Sequence, residues 1–448
     1  MTTLRIKKLF IVIGDVVILY AALLLTLLLR YGGNFTEALI SRHLVPFSII
    51  FLVWLIIFYI AGLYDLQRLR NNLNFLKTLA LALFVNAVLA ALFFYFVPAF
   101  GITPKTNLFI FLIVFGLLEA IWRRLFNRFS VSTQTKSKIL LVGSSNASHE
   151  IFSLLKENPQ LGYEIKLWLK EQAEIASLKT TAGWWEIIEK NSIDGIVIPR
   201  HFKKESDLTK IFYKLLTLGT EVHDLPAFYE TVFRKIPLDE VGEEWFLDEL
   251  FEGEKFYDDL KQGIEFVGAL ALGIILLPLE LLIACLVKLS SAGPTIYKQT
   301  RVGQNGREFI LYKFRTMHQD AEKGGPRWAE AGDKRTTAIG KILRHSHLDE
   351  LPQFMNILKG ELSFVGPRPE RPEFVEILKT KIPHYELRLL VKPGVTGWAQ
   401  IEYRYGASVE DAAEKLKYDI YYLKNRSLFL DAAIILKTLK SFFINSYT

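Results

Sequence analysis

The chain predicts a membrane protein of α plus α/β class: a four-helix transmembrane bundle, a cytoplasmic α/β domain, and a mainly helical domain with a re-entrant membrane helix. Three observations predict it. Hydrophobic residues fill 51% of the 448 positions and mean hydropathy is +0.23, high for a soluble protein. Four apolar runs, each near the ~20 residues a spanning helix needs, crowd the N-terminal part. From Ser137 onward short apolar strands alternate with helical segments. So long a chain exceeds one compact core. The expected divisions are a bundle over 1–130, an α/β domain over 137–238, an acidic linker over 239–260 and a last domain over 261–448.

The four runs are Leu9–Leu29, Leu44–Ala61, Phe75–Val97 and Leu108–Ile121. The first is long, lacks a small-residue cleavage pattern and is followed by three more, so it reads as a membrane helix and not as a signal peptide. Arg5, Lys7 and Lys8 precede the first run, Arg68, Arg70 and Lys77 lie between the second and third, and Arg123, Arg124, Arg128, Lys136 and Lys138 follow the fourth. The other two loops offer mainly Arg42 and Lys105, so both ends of the bundle are expected in the cytoplasm. Asp15 is expected near the cytoplasmic end, within reach of the interface.

In the α/β domain the expected strands are 138–143, 163–169, 195–199 and 221–225, a small doubly wound, Rossmann-like sheet. Its first turn, Gly143-Ser144-Ser145-Asn146-Ala147-Ser148, keeps one glycine of a GxGxxG fingerprint, so a structural or regulatory module is favoured over dinucleotide binding. The formal charge of +7 and pI of 9.1 suit anionic lipid and phosphorylated substrates. No aromatic-interleaved basic ribbon or Cys/His finger spacing is present, and no nucleic-acid partner is expected. Cys285, the single cysteine, is read as a buried structural thiol.

The apolar run Phe266–Leu289 is long enough to span. Its charges oppose crossing: Asp258, Asp259 and Glu265 precede it, while Lys288, Lys298, Arg301 and Arg307 follow. Pro278 should kink the helix and Glu280 would be costly at the bilayer centre, so a re-entrant helix over 262–290 is expected. Beyond it stand Lys313-Phe314-Arg315-Thr316-Met317, Asp333, Arg335, Arg344, the adjacent carboxylates Asp349-Glu350 at a helix start, and a rigid Pro367-Arg368-Pro369 corner. Neighbouring helical carboxylates project about 100° apart, so the two can hold different tasks. A divalent cation such as Mg²⁺, held by a carboxylate and substrate phosphates, fits them, and Lys313, Arg344 and Arg368 are candidate phosphate clamps. A plain helix-start charge pair is the commoner meaning of Asp-Glu alone.

From about Phe266 the chain resembles the bacterial sugar transferase family, the monotopic polyprenyl-phosphate glycosyl-1-phosphate transferases. The resemblance rests on Tyr297-Lys298-Gln299-Thr300-Arg301-Val302-Gly303, Lys313-Phe314-Arg315-Thr316-Met317, Leu348-Asp349-Glu350-Leu351-Pro352-Gln353, Gly366-Pro367-Arg368-Pro369 and Pro393-Gly394-Val395-Thr396-Gly397-Trp398-Ala399-Gln400. The bundle and α/β domain resemble the long subgroup that starts exopolysaccharide and O-antigen repeat units. The resemblance implies transfer of a sugar-1-phosphate from a nucleotide diphosphate sugar, a UDP-hexose by family weight, to undecaprenyl phosphate, with release of nucleoside monophosphate. Asp349 would be the nucleophile of a covalent phosphosugar intermediate and Glu350 the Mg²⁺ ligand. Lys313, Arg315, Arg344, Arg368, Arg301, Asp333 and Arg335 match the phosphate-binding region, with Pro278, Pro367 and Pro369 structural. The same resemblance implies the bacterial inner membrane, a catalytic domain on its cytoplasmic face, and a homodimer. Three departures stand out: Lys334 replaces a proline of the family's Asp-Pro-Arg, His345 and His347 replace Arg and Ser, and the glycine turn is degenerate. A membrane-anchored nucleotide-sugar sensor or scaffold is the alternative function, and a hydrolase using the same carboxylates is another.

Overall fold

The computed structural model describes residues 2–32, 36–97, 105–131, 136–171, 178, 180–203, 206–217, 219–250, 255–318, 335–403, 406 and 408–443. The chain forms two compact units, Met1–Val232 and Phe233–Thr448.

The first unit begins with four helices, α1 (Thr2–Tyr31), α2 (Glu37–Ala61), α3 (Leu73–Phe96) and α4 (Lys105–Val131). α2 and α3 start at Thr36 and Asn72, whose side chains accept from the backbone N–H three residues on, supplying a partner that the helix start lacks. An aromatic stack of Phe47, Phe51, Trp54, Phe111 and Phe115 fills the space between α2 and α4. Among the described residues, four helices are long and apolar enough to cross a membrane by length and composition: Leu4–Tyr31, Glu37–Ala61, Leu73–Phe96 and Phe256–Ser290. This marks a membrane protein. The fourth expected run belongs to α4, whose C-terminal half carries Glu119, Arg123, Arg124 and Arg128. Asp15 does not reach an interface. It is fully buried against Arg123, and it also accepts hydrogen bonds from Tyr64 at 2.8 Å and Trp122 at 3.0 Å. Arg123 further donates to Glu119 at 2.7 Å and to the Leu63 carbonyl at 2.8 Å, so one guanidinium ties α1, α4 and the α2–α3 turn. A buried charge needs such partners.

The same unit then builds a sheet of β1 (Ser137–Val142), β2 (Tyr163–Leu169), β3 (Gly195–Ile198) and β4 (Glu221–Asp224), all parallel, in the order β2-β1-β3-β4. Its helices are α5 (Asn146–Glu157), α6 (Thr181–Asn191), α7 (Ser206–Thr217) and α8 (Leu225–Phe233). β1 from Ile139 onward and β3 read as continuous apolar runs because parallel strands are buried on both faces. At the turn after β1, a Cβ on Gly143 would stand 2.8 Å from the Pro199 ring, so proline fills the space beside that glycine.

The second unit opens with α9 (Glu243–Leu250) and the 36-residue α10 (Lys255–Ser290). The stretch expected as an acidic linker is thus largely helical. Trp245 and Phe246 sit in the unit's main core, an apolar signal that the surrounding acids obscure. α10 stays α-helical through Pro278. Cys285 is exposed on it and not buried, because the apolar run turns a lipid-like face outward, with Ile274, Ile275, Leu281 and Leu282. Next come the antiparallel pair β5 (Ile296–Val302) and β6 (Glu308–Phe314), α11 (Ala338–His345), a 3-10 turn over Leu348–Gln353 and α12 (Phe354–Leu358). β7 (Ser363–Val365) pairs in parallel with β8 (Gly394–Thr396), between which lies α13 (Pro372–Lys381). Helices α14 (Trp398–Glu402), α15 (Val409–Asn425) and α16 (Leu428–Phe443) complete the unit.

Candidate active site

Asp349 and Glu350 lie in the 3-10 turn and not at the start of an α-helix. Three residues per turn set them about 120° apart instead of 100°. His347 makes the corner into this turn from α11, in the left-handed region at φ 53°, and His345 ends α11. Pro352 follows the pair, and its missing N–H suits so short an element.

β6 brings the first cation to the turn. Lys313, registered opposite Tyr297, donates from Nζ to Glu350 Oε1 at 2.6 Å. Arg368, from the corner after β7, places Nη2 3.7 Å from the same oxygen. Burial alone would raise the Glu350 pKa, but Lys313, Arg368 and the Lys313 hydrogen bond outweigh it and hold the carboxyl at about 2. Burial lowers the Lys313 pKa against the pull of Glu350. Asp349 differs. Burial raises its carboxyl above the usual range, with Lys313 opposing, and among the described residues no hydrogen bond ends on it. One carboxylate is clamped and its neighbour is left open.

Two further features align the turn with β6. Asn356, fully buried in α12, accepts from Tyr312 N at 3.1 Å and donates to Ile310 O at 2.7 Å, so its amide continues the strand's hydrogen-bonding edge. A Cβ on Gly340 would meet Thr316 O at 2.0 Å, so α11 packs directly on that backbone. Arg344, on α11, donates from Nε to Thr316 Oγ1 at 2.9 Å.

Two expected phosphate ligands have other tasks. Arg315 donates to Ala292 O at 2.9 Å and Ser291 O at 2.7 Å, holding the chain just past α10. β6 ends at Phe314, so the strand alternation that would pair Arg315 with Lys313 stops there. Arg301 donates to Pro369 O at 2.9 Å and to Gln299. Arg335 accepts from His318 N through its carbonyl at 3.0 Å, whereas Asp333 and Lys334 lie outside the described residues. Pro367 and Pro369 bracket Arg368, and Gly366 lets two backbone segments touch: a Cβ there would stand 2.3 Å from Lys392 O. No group of three or more His, Cys, Asp or Glu able to hold a metal occurs among the described residues. A cation here would rest on one or two carboxylates and on ligand oxygens, as Mg²⁺ does.

Residues 256–445, which contain both carboxylates and the cations of this site, match the bacterial sugar transferase family. A UDP-N-acetylgalactosamine-undecaprenyl-phosphate N-acetylgalactosaminephosphotransferase of Aeromonas hydrophila is 40% identical over 267 residues, 57% of this chain and 62% of that protein. The exopolysaccharide production protein PSS of Rhizobium leguminosarum bv. phaseoli is 36% identical over 188 residues, 41% of this chain and 94% of that protein. A UDP-glucose:undecaprenyl-phosphate glucose-1-phosphate transferase of Klebsiella pneumoniae is 30% identical over 415 residues, 88% of either chain. A likeness that runs through both units, with the motifs assembled into one site, places the chain in the bacterial sugar transferase family.

Proposed function

We propose that this protein transfers a sugar-1-phosphate from a nucleotide diphosphate sugar, a UDP-hexose or UDP-N-acetylhexosamine, to undecaprenyl phosphate, and so starts a polysaccharide repeat unit. The observation that carries it is the asymmetry of the two carboxylates: Glu350 is held by Lys313 and Arg368, whereas Asp349 is buried and, among the described residues, no hydrogen bond ends on it. An open carboxylate beside a cationic clamp suits a nucleophile for phosphorus.

In the first step an Asp349 carboxylate oxygen bonds to the phosphorus that bears the sugar. The bridging P–O bond breaks, and its electron pair leaves with the nucleoside monophosphate. An oxygen of undecaprenyl phosphate then bonds to the same phosphorus, the Asp349–phosphorus bond breaks, and the carboxylate returns. Lys313 and Arg368 offset charge on the transferring phosphoryl group, and Arg344 stands on the helix leading into the turn. Glu350, with Asp349 beside it, would hold Mg²⁺ together with the substrate phosphates, and the ion would supply charge neutralisation.

The family's re-entrant arrangement is part of the proposal. Lys261, Glu265 and Ala269 before Pro278, and Ile283 and Val287 after it, all pack on the same unit. Lys261 to Val287 is about 39 Å of straight helix, more than the ~30 Å hydrocarbon core. A crossing helix would carry those contacts to opposite faces, so one-sided insertion at the cytoplasmic face of the inner membrane is favoured. We also read the four parallel strands as Rossmann-like from their order. The homodimer rests on the family resemblance.

The test is incubation of purified protein with Mg²⁺, undecaprenyl phosphate and a panel of labelled nucleotide sugars. Wild type should give lipid-linked label and nucleoside monophosphate, and Asp349→Asn should lose at least about 10³-fold in rate. Free sugar phosphate as the product, or full activity in the variant, would overturn the reading.

A further inference from the structure

The backbone from Val365 to Glu370 delivers Arg368 to Glu350. Two of its six residues are prolines, which have no N–H with which to hold the segment in place. Its carbonyls are gripped instead. Lys261 Nζ donates to Val365 O at 2.8 Å, Gly394 N to Pro367 O at 2.9 Å, and Arg388 Nη2 to Arg368 O at 3.0 Å. Arg301 Nη1 donates to Pro369 O and Val302 N to Glu370 O, each at 2.9 Å. Three of these donors are cations, on α10, on β5 and in the turn before β8.

Each cation is itself fixed. Asp431 lies 2.9 Å from Lys261, and the Tyr422 hydroxyl accepts from it at 2.7 Å. Asp419 and Tyr385 accept from Arg388 at 3.0 and 2.6 Å, and Gln299 accepts from Arg301 at 2.6 Å. Charge-assisted bonds are shorter and stronger than neutral ones, so the corner is held stiffly from three sides.

We infer that Lys261, Arg301 and Arg388 are positioning residues, which grip three carbonyls of the corner and so hold the Arg368 guanidinium where a substrate phosphate meets Glu350. The inference rests on the proposed transfer reaction. Lys261 adds a link of its own: it stands on the membrane helix, so the seating of that helix is felt at Arg368.

A double-mutant cycle in the full-length protein tests this. Lys261→Met should lower kcat roughly ten- to hundredfold, with a smaller change in KM. In an Arg368→Ala background the same substitution should cost less than about twofold, because the group it positions is gone. Lys261→Arg, which keeps a cationic donor, should recover most of the rate. An unchanged rate in Lys261→Met, or equal losses in both backgrounds, overturns the inference. If Lys261→Met does not fold, Arg301→Gln carries the same cycle with the same two readings. Hydrogen exchange of the peptide spanning residues 363–371 needs no substrate: it should quicken in the variant, while unchanged exchange overturns the grip. Failure of wild type to transfer any sugar would sink the reaction and leave this exchange result standing by itself.

Discussion

Lys313 and Arg315 are two positions apart in one motif, yet one meets Glu350 and the other holds the backbone beyond α10. They should fail differently. Lys313→Met removes the 2.6 Å donor to Glu350, leaves Arg368 at 3.7 Å, and should lower kcat/KM roughly 10²-fold. Arg315→Ala removes the charged donor to the Ser291 and Ala292 carbonyls and should cost about 1.5–3 kcal/mol, with KM for the nucleotide sugar changed less than about twofold. Thermal unfolding and steady-state rates on both variants separate the two effects, and a large KM rise in Arg315→Ala would restore it as a phosphate ligand. At this scale chemistry alone marks Asp349, Glu350, Lys313 and Arg368 in the sequence, and the fold brings the four together. It was not legible for Arg315 and Arg301, since charge does not say where a guanidinium points. Asn356, Arg388 and Lys261 carry no motif signal, because their partners are backbone atoms distant in sequence.

Elements in the second unit are set by close contacts that forgive little. Gly340→Ala would drive a methyl into Thr316 O, 2.0 Å away, and push α11 with Arg344 off β6. Overpacking of this kind costs about 1–3 kcal/mol, so both the unfolding midpoint and activity should fall. Gly242→Ala, with nothing within 4 Å, should leave both unchanged; equal behaviour of the two would refute the close-contact account. Lys235 ties the start of the unit to α15 through Glu414 at 2.6 Å. Burial would raise the Glu414 carboxyl, but Lys235 and Lys417 outweigh it and hold it below the usual range. Since the folded-state value lies below the unfolded one, the stabilisation is present above about pH 4.3 and is lost as pH falls through the folded value. The midpoint gap between wild type and Glu414→Gln, worth about 1 kcal/mol at pH 7, should therefore close on acidification. A gap that widens below pH 4 would refute the assignment. The 239–260 stretch shows why some elements escaped the sequence: Trp245 and Phe246 belong to a core most of whose other members, from Val365 onward, lie more than a hundred positions later.

For the whole molecule, the membrane helices and the parallel strands were legible because each is a local pattern, a long apolar run or a short one between turns. The path of α10 through the bilayer is not local, since length and composition alone allow it to cross. Its contacts argue otherwise. Lys261 and Glu265 bind the β7 segment, Ala269 packs with Phe309 and Leu311, and Ile283 and Val287 pack with Phe314 and Leu343. A single unit therefore packs on the helix both before and after Pro278, while Ile274, Ile275, Leu281 and Leu282 turn outward. The proposed one-sided insertion accommodates both facts, because the unit would keep its polar surface in water while the outward apolar face met lipid. Replacing the only cysteine, by Cys285→Ser, allows a direct test with single cysteines at Asp259 and Lys298 on either side of the helix. In sealed vesicles, a membrane-impermeant maleimide should label both positions from the cytoplasmic side and neither from the opposite side. Labelling of Lys298→Cys from the opposite side alone would mean that α10 crosses, and the one-sided placement would fall.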